Sequence, residues 1–119
     1  LPGFFTAETG IELDTSVDDV REIAAIFHAS RSLSRPQAIL VVQAPPAEVA
    51  IERGKVESAV DTALLEIARD GVRGAAVTPY LLASVTRLTG GSSLAVNLAL
   101  LEQNAALAGE IATMCAGEK

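Results

Sequence analysis

The sequence predicts an α/β fold that is mostly helical and contains one firm buried strand. The strand is predicted at residues 38–42, a continuous apolar run bounded by Pro36 and by Pro45-Pro46. Such a run is typical of a strand buried on both faces beneath helices. Apolar residues at helical spacing lie on both sides of it, so the element order is helix, strand, helix, helix, helix. One strand cannot form a sheet alone, so it must pair with a symmetry mate or with strands of another polypeptide.

The first predicted helix begins at Ser16 and ends near Leu33. Ser16 is a suitable N-cap, and Asp19 three residues later makes the start similar to a capping box. Residues 1–14 before it are loop-like, with a short candidate strand at 11–13. The stripe predicted to face the core consists of Val20, Ile23, Ala24 and Phe27.

The three later helices are predicted mainly from their ends. The second runs from Lys55 to about Asp70, and a glycine follows it at the position where left-handed backbone ends many helices. The third begins at Thr78-Pro79, a threonine cap with proline at the first helical position. It stops at a Gly-Gly pair, after which a serine caps the last helix, which continues to about Ala116.

Composition excludes several classes of function. The net charge is −6 and aromatic residues make up 3% of the chain, whereas nucleic-acid surfaces need clustered Lys and Arg and often stacking aromatics. No apolar run approaches the roughly 18 residues that span a membrane. Cys115 is the only cysteine, so no internal disulfide is possible and no Cys/His cluster has metal-site spacing. We therefore expect a cytoplasmic protein that binds neither nucleic acid nor membrane.

The chain is apolar for its size. Half of its 119 residues are hydrophobic, and small domains bury a smaller share of their surface than large ones. Part of this apolar surface is therefore expected to meet another protein surface, either in a homo-oligomer or in a missing part of a larger chain. The sequence begins at Leu1 without a methionine, which also suggests a fragment or a processed product.

Two amides on the last helix are the main candidate site residues. Asn97 lies near the middle of the apolar arc predicted for this helix, and Asn104 follows one heptad later. A buried amide without partners costs roughly 1–3 kcal/mol, so each must be paired. Asn97 can bond to the backbone of a neighbouring element or face a polar pocket, and both interpretations stay open. Asn104 is interpreted as structural, because two amides on one face suggest a polar seam.

Other candidates have simpler explanations. His28 is interpreted as a histidine at the edge of the first apolar stripe, since no acid or nucleophile is spaced to work with it. The segment Gly90–Ser93 could bind an anion at a helix N-terminus, but a tight turn between helices explains it. Thr78 could face a ligand, although a capping role accounts for it. No nucleotide-binding loop, zinc-protease motif or nucleophile elbow is present.

Four stretches, in order along the chain, resemble the pseudouridine-5′-phosphate glycosidase family, also called indigoidine synthase A-like. The matching family patterns are "PGFFTRxSG", "NPIPEE", "VTPFLL…TGGxSL" and "NIALVxNNA". The corresponding stretches here are Leu1-Pro2-Gly3-Phe4-Phe5-Thr6, Pro45-Pro46-Ala47-Glu48, Val77–Leu82 with Thr89–Leu94, and Asn97–Leu100 with Asn104-Ala105. The resemblance assigns residues 1–119 to the C-terminal part of a single such domain.

The resemblance implies an α/β/α sandwich with a mixed sheet, assembled as a trimer. It implies reversible cleavage of the C–C glycosidic bond of pseudouridine 5′-phosphate to uracil and ribose 5-phosphate. A lysine Schiff base, an acidic proton-transfer residue and a divalent metal, typically Mn²⁺, belong to the upstream N-terminal segment of the family. No catalytic or metal residue is therefore expected here, and neither Lys55 nor Lys119 matches those motifs. Asn97 matches the family's active-site asparagine and is expected to bond to the substrate or its opened sugar, with Thr78 a second candidate contact.

The chain departs from the family at two points. Gln43-Ala44 replaces Asn-Pro, and Gln103 replaces the first asparagine of "NNA". Three hypotheses follow: the C-terminal segment of an enzyme that acts only with its N-terminal segment, an inactive or split relative serving as a subunit or small-molecule-binding module, or a self-contained binding domain.

Overall fold

The computed structural model describes residues 1–117, a range that excludes Lys119, and four α-helices organise it. Helix α2 packs on α3, α1 packs on α4, and α3 also contacts α4. A short 3₁₀ turn at Gly74–Ala76 connects α2 to α3. The helices are α1 (Val20–Ser32), α2 (Arg53–Asp70), α3 (Val77–Leu88) and α4 (Ser92–Gly117).

Helix α1 begins three residues later than predicted, because Asp19 and not Ser16 is its N-cap. Asp19 has extended backbone, and its carboxylate accepts a hydrogen bond of 2.8 Å from the Arg21 N–H. This contact satisfies one of the free N–H groups of the first turn. The predicted end is confirmed, with Leu33 as the C-cap.

Helix α2 ends as predicted, at Gly71. This glycine has φ +66°, and its N–H donates to the Ile67 carbonyl. A residue with a β-carbon is strained in this left-handed conformation, so glycine is the natural stop signal. The buried face of α2 is formed by Ala59, Ala63 and Ile67.

The capping role predicted for Thr78 is wrong. The 3₁₀ turn leads directly into α3, so Val77 is already helical with φ −62° and ψ −50°. Thr78 is the second residue of α3 and Ala76 is the N-cap. Thr78 therefore lies inside the first turn of α3 and cannot be the residue that precedes the helix.

The turn between α3 and α4 confirms the structural interpretation of the Gly-Gly-Ser-Ser segment. Gly90 and Gly91 both have positive φ, at 62° and 85°. The four N–H groups from Gly90 to Ser93 all donate to Arg87, Thr86 or Thr89. Because these groups are used within the turn, none points outward to bind an anion.

A small core joins the loops to α4. Ile51, Val96 and Leu100 are buried together, and the N–H of Ile51 donates to the Phe5 carbonyl at 2.9 Å. This bond holds the N-terminal loop against the segment that precedes α2. Three partly buried residues complete the cluster, namely Phe5, Val49 and Val56.

The prediction of an α/β fold with a buried strand and a mixed sheet is wrong for the described chain. Residues 1–117 contain helices and no strand, so the short strand expected at 11–13 is absent too. Residues 38–42 are exposed, and Leu40 keeps 85% of its surface accessible. A strand needs a neighbour to bond its N–H and C=O groups, and residues 38–42 form no backbone hydrogen bond with any described residue. The apolar composition of residues 38–42 is compatible with a strand, but it does not show whether a neighbouring strand is present.

The chain is extended for its length. Its radius of gyration is 17.8 Å, whereas a compact domain of this length has about 13–14 Å. Its accessible surface is 8298 Å², whereas a compact monomer of 12.3 kDa exposes about 6,100 Å². The excess is partly apolar, because leucines of α2 and α4 and most of the 38–42 run are exposed.

Candidate functional site

Asn97 lies on the border between two apolar faces of α4. The buried face contains Val96 and Leu100, while Leu98 and Leu101 are more than half exposed. At about 100° per residue, these leucines form a separate stripe, and Asn97 falls between the stripe and the buried face. The single apolar arc predicted from the sequence is therefore two faces, and the amide marks the edge between them.

The Asn97 amide has no hydrogen-bond partner among residues 1–117, although the side chain is half-buried. Its oxygen and nitrogen are not among the fully buried atoms that lack partners, so both stay accessible. The described chain therefore provides no partner for a structural role. One acceptor and two donors remain available for a ligand.

Asn104 has a partner across the chain. The side-chain amide of Gln43 donates through Nε2 to Asn104 Oδ1 at 2.7 Å. The structural interpretation of Asn104 agrees with this contact. In the sequence Gln43 stands out as a departure from the family pattern, and nothing around it predicts a contact with a residue 61 positions away.

The second glutamine that departs from the family pattern, Gln103, lies on α4. Gln103 is half-buried, and its Oε1 has no hydrogen-bond partner among the described residues. Its position beside Asn104 in the sequence puts two amides in a row on α4, of which only Asn104 is paired.

Thr78 lies at the start of α3 with its side chain exposed. Its hydroxyl forms no hydrogen bond within the described part of the chain. No hydrogen bond joins it to Asn97, so the structure does not bring the two predicted site residues together. Its substrate contact stays a prediction.

His28 is half-buried and packs edge-on against the Phe27 ring.

Two open grooves lie elsewhere on the chain. One, of about 610 Å³, separates the start of α1 from the second half of α4, between Arg21 and Glu110. The other, of about 300 Å³, lies between the N-terminal loop and α2, beside Phe5 and Arg53. Neither groove includes Asn97 or Thr78.

The charged side chains with shifted pKa values belong to surface ion pairs. Arg87 bonds to Glu66 and lowers the pKa of that carboxylate, and Arg69 does the same for Asp70. Tyr80 also donates to Asp70 at 2.5 Å, and this bond raises the pKa of the Tyr80 hydroxyl. The bonds of Arg87 and Tyr80 join α3 to α2, the Arg69–Asp70 pair lies within α2, and none of them points to a proton-transfer site.

The part of the chain that the structure describes does not fit the divalent metal implied by the resemblance. Across residues 1–117, no three His, Cys, Asp or Glu side chains lie close enough to hold a metal ion. Carboxylates such as Glu66 and Asp70 instead bond to arginines. No helix in the same range is long and apolar enough to cross a membrane.

Comparison with known proteins gives consistent matches. The model of the family described as indigoidine synthase A like protein matches residues 1–114. The chain is 52% identical over 112 residues to the pseudouridine-5′-phosphate glycosidase of Gemmatimonas aurantiaca, covering 94% of this chain and 37% of that protein. It is 42% identical over 111 residues to the enzyme of the same name from Symbiobacterium thermophilum, covering 93% and 36%.

A solved structure shares the fold. The crystal structure of the prealnumycin C-glycosynthase AlnA in complex with ribulose 5-phosphate aligns with a TM-score of 0.85 and 26% identity. The alignment covers 95% of this chain and 37% of AlnA. The chain thus spans slightly more than a third of the proteins it matches. Because the family model covers nearly all of its residues, the chain belongs to the indigoidine synthase A like protein family.

Proposed function

We propose that this chain is the C-terminal segment of a pseudouridine-5′-phosphate glycosidase. Such an enzyme reversibly cleaves the C–C glycosidic bond of pseudouridine 5′-phosphate to uracil and ribose 5-phosphate. The observation that carries the proposal is the 52% identity over 112 residues to the Gemmatimonas aurantiaca protein of that name. The cytoplasm is its proposed location, in keeping with the single free cysteine.

The similarity to AlnA supports the class of chemistry. AlnA is described as a C-glycosynthase, and its crystal contains ribulose 5-phosphate. Both the C–C bond to a sugar and the sugar phosphate agree with the proposed reaction. C-glycoside synthesis on another acceptor is a second candidate, but the identity of 26% to AlnA is half of the 52% to the glycosidase.

The surface of the chain supports a two-part enzyme. Its accessible surface exceeds that of a compact monomer by about 2,200 Å². If a partner covered this excess and buried a similar area of its own, the total of about 4,400 Å² would fall within the range of permanent interfaces, which bury about 2,000–5,000 Å² over both partners. We propose that the N-terminal segment of the enzyme covers residues 38–42 and the exposed stripe of α4, and that the assembled enzyme is a homotrimer.

The chemistry is divided between the two parts. We assign the lysine that forms a Schiff base with the opened ribose, and the acidic residue that moves protons, to the N-terminal segment. The electron pair of the breaking C–C bond would leave with uracil C5, which takes up a proton, while the lysine nitrogen shares its lone pair with the sugar C1 to form the protonated Schiff base that water then hydrolyses to ribose 5-phosphate. Mn²⁺ belongs to the same proposal with ligands outside residues 1–119, and no step here depends on it. The task of this chain is binding, in which the accessible Asn97 amide bonds to the substrate or its opened sugar.

A fusion tests the proposal. Residues 1–119 replace the matching segment of the Gemmatimonas aurantiaca enzyme, and uracil release from pseudouridine 5′-phosphate is measured. The matched control carries the segment of the Herpetosiphon aurantiacus relative, which is 39% identical to this chain over 112 residues. We expect both fusions to fold and release uracil. The proposal fails if the control is active while the fusion with this chain is inactive or does not fold.

A further inference from the structure

The segment from Gln43 to Ile51 contacts α4 at both of its ends. At one end Gln43 bonds to Asn104. At the other end Ile51 is buried against Val96 and Leu100. Ile51 therefore lies at the level of Asn97 on α4 and Gln43 lies about two turns further along the helix, so the segment between them spans this part of α4.

The bond to Asn104 is the only hydrogen bond that the structure describes for residues 36–45. The last backbone bond before this stretch runs from Arg35 to Ser30, and the next one joins Val49 to Pro46. The residues between have no regular secondary structure and are mostly exposed, apart from the buried Pro45. Without the bond from Gln43 to Asn104, little besides the packing of Pro45 would fix the start of the loop.

Asn104 also lies in line with Asn97 on the helix. The two positions are seven residues apart, which places them about 10.5 Å apart along the axis and about 20° apart around it. The tether and the accessible amide therefore belong to one edge of one rigid helix. A loop fixed at Asn104 has a defined position relative to Asn97 as well.

We infer that Asn104 is a positioning residue that holds residues 43–46 through Gln43, so that this loop forms the wall of the substrate pocket beside Asn97. The inference rests on the proposed function. Asn104 touches no reacting atom in this account, and its effect reaches the sugar phosphate only through the loop. Loss of the tether should weaken substrate binding more than it slows the chemical step.

A double-mutant cycle in the fusion described above tests the inference. We expect Q43A, N104A and the double variant each to raise KM by about five- to tenfold with kcat within about twofold of wild type. The double variant should be no worse than either single one, because both remove the same bond. The exchange Q43N with N104Q keeps two uncharged amides of the same combined length and should restore KM.

The controls separate this inference from folding effects and from the proposed function. T113A changes an exposed polar residue further along α4 and should leave KM and kcat unchanged. An active wild-type fusion whose N104A variant keeps the wild-type KM overturns the inference alone. The same holds if the exchange variant fails to restore KM, or if kcat falls in step with the melting temperature. An inactive wild-type fusion overturns the proposed function instead.

Discussion

Arg87 places Nη2 2.7 Å from both carboxylate oxygens of Glu66 and thereby links α3 to α2. The Ser84 hydroxyl donates to the same carboxylate at 3.1 Å. Glu66 is less exposed than its partner, with 21% of its side chain accessible against 60% for Arg87. The contact is an ion pair between two helices whose apolar faces also pack together.

Low pH should weaken the ion pair between Arg87 and Glu66. Arg87 lowers the pKa of Glu66 in the folded chain below its unfolded value near 4.5. The stabilisation is therefore complete above that unfolded value and is lost as the pH falls through the lower folded pKa. The melting temperatures of the fusion and of its E66Q variant should differ near neutral pH and converge as the pH falls below the lowered pKa of Glu66. A difference that stays constant from neutral to acid pH would show that the charge of Glu66 is not involved.

Val96 should be essential to the small core. It is fully buried between Ile51 and Leu100, so V96A leaves a cavity. We expect a loss of about 1–3 kcal/mol in unfolding free energy, measured by denaturant titration of the fusion. A95S, at the neighbouring exposed position, is the control and should change stability by less than about 0.5 kcal/mol. Equal effects of the two substitutions would mean that the core lies elsewhere.

Leu40 should behave differently in the isolated chain and in the fusion. It is 85% exposed in this chain, so L40D should not unfold it and should reduce the oligomers or precipitate expected of the chain alone. In the fusion we propose that this residue is covered, and a buried unpaired carboxylate would then destabilise the assembly strongly. Gel filtration and thermal melting measure both effects. An isolated chain that is a stable monomer, or a fusion that tolerates L40D, contradicts the proposed interface.

Asn97 should affect catalysis and not folding. Its amide has no partner within residues 1–117, so N97A removes no described contact. If the amide bonds to the substrate, the loss of about 1.5–3 kcal/mol corresponds to a decrease of about 10- to 100-fold in kcat/KM of the fusion. Unchanged turnover together with a large fall in melting temperature would assign Asn97 a structural role.

Thr78 provides a separate test of the second predicted contact. Its hydroxyl is exposed and unbonded in the described chain, so T78A should leave the melting temperature unchanged. A substrate contact predicts an increase in KM, and T78S should restore the wild-type value because it keeps the hydroxyl. If T78A has the wild-type KM, Thr78 is not part of the site.

Local signals in the sequence predicted the helices well where one residue decides the backbone. Gly71 ends α2 because left-handed backbone favours glycine, and the Gly-Gly pair separates α3 from α4 for the same reason. Two helix starts that were predicted from a polar N-cap, at Ser16 and Thr78, were wrong. Asp19 took the place of Ser16, and a 3₁₀ turn displaced Thr78 from the cap. Sequence spacing alone does not show which side chain reaches a free N–H.

The strand and the site needed information that lies outside local patterns. An apolar run at 38–42 is compatible with a buried strand, but its pairing depends on a neighbouring strand that the described chain does not contain. Asn97 was found because an amide interrupts an apolar helix, and the family resemblance added its expected role. The tether from Gln43 to Asn104 joins positions 61 residues apart, which no local pattern predicts.

The most direct test of the proposed C–C bond cleavage compares two compounds that differ only in the glycosidic bond. Pseudouridine 5′-phosphate joins uracil to the sugar by a C–C bond, whereas uridine 5′-phosphate has a C–N bond. We expect the fusion, with this chain in place of the native segment, to release uracil and ribose 5-phosphate from the first compound and not from the second. A folded fusion that releases no uracil from pseudouridine 5′-phosphate, beside an active control fusion, would contradict it.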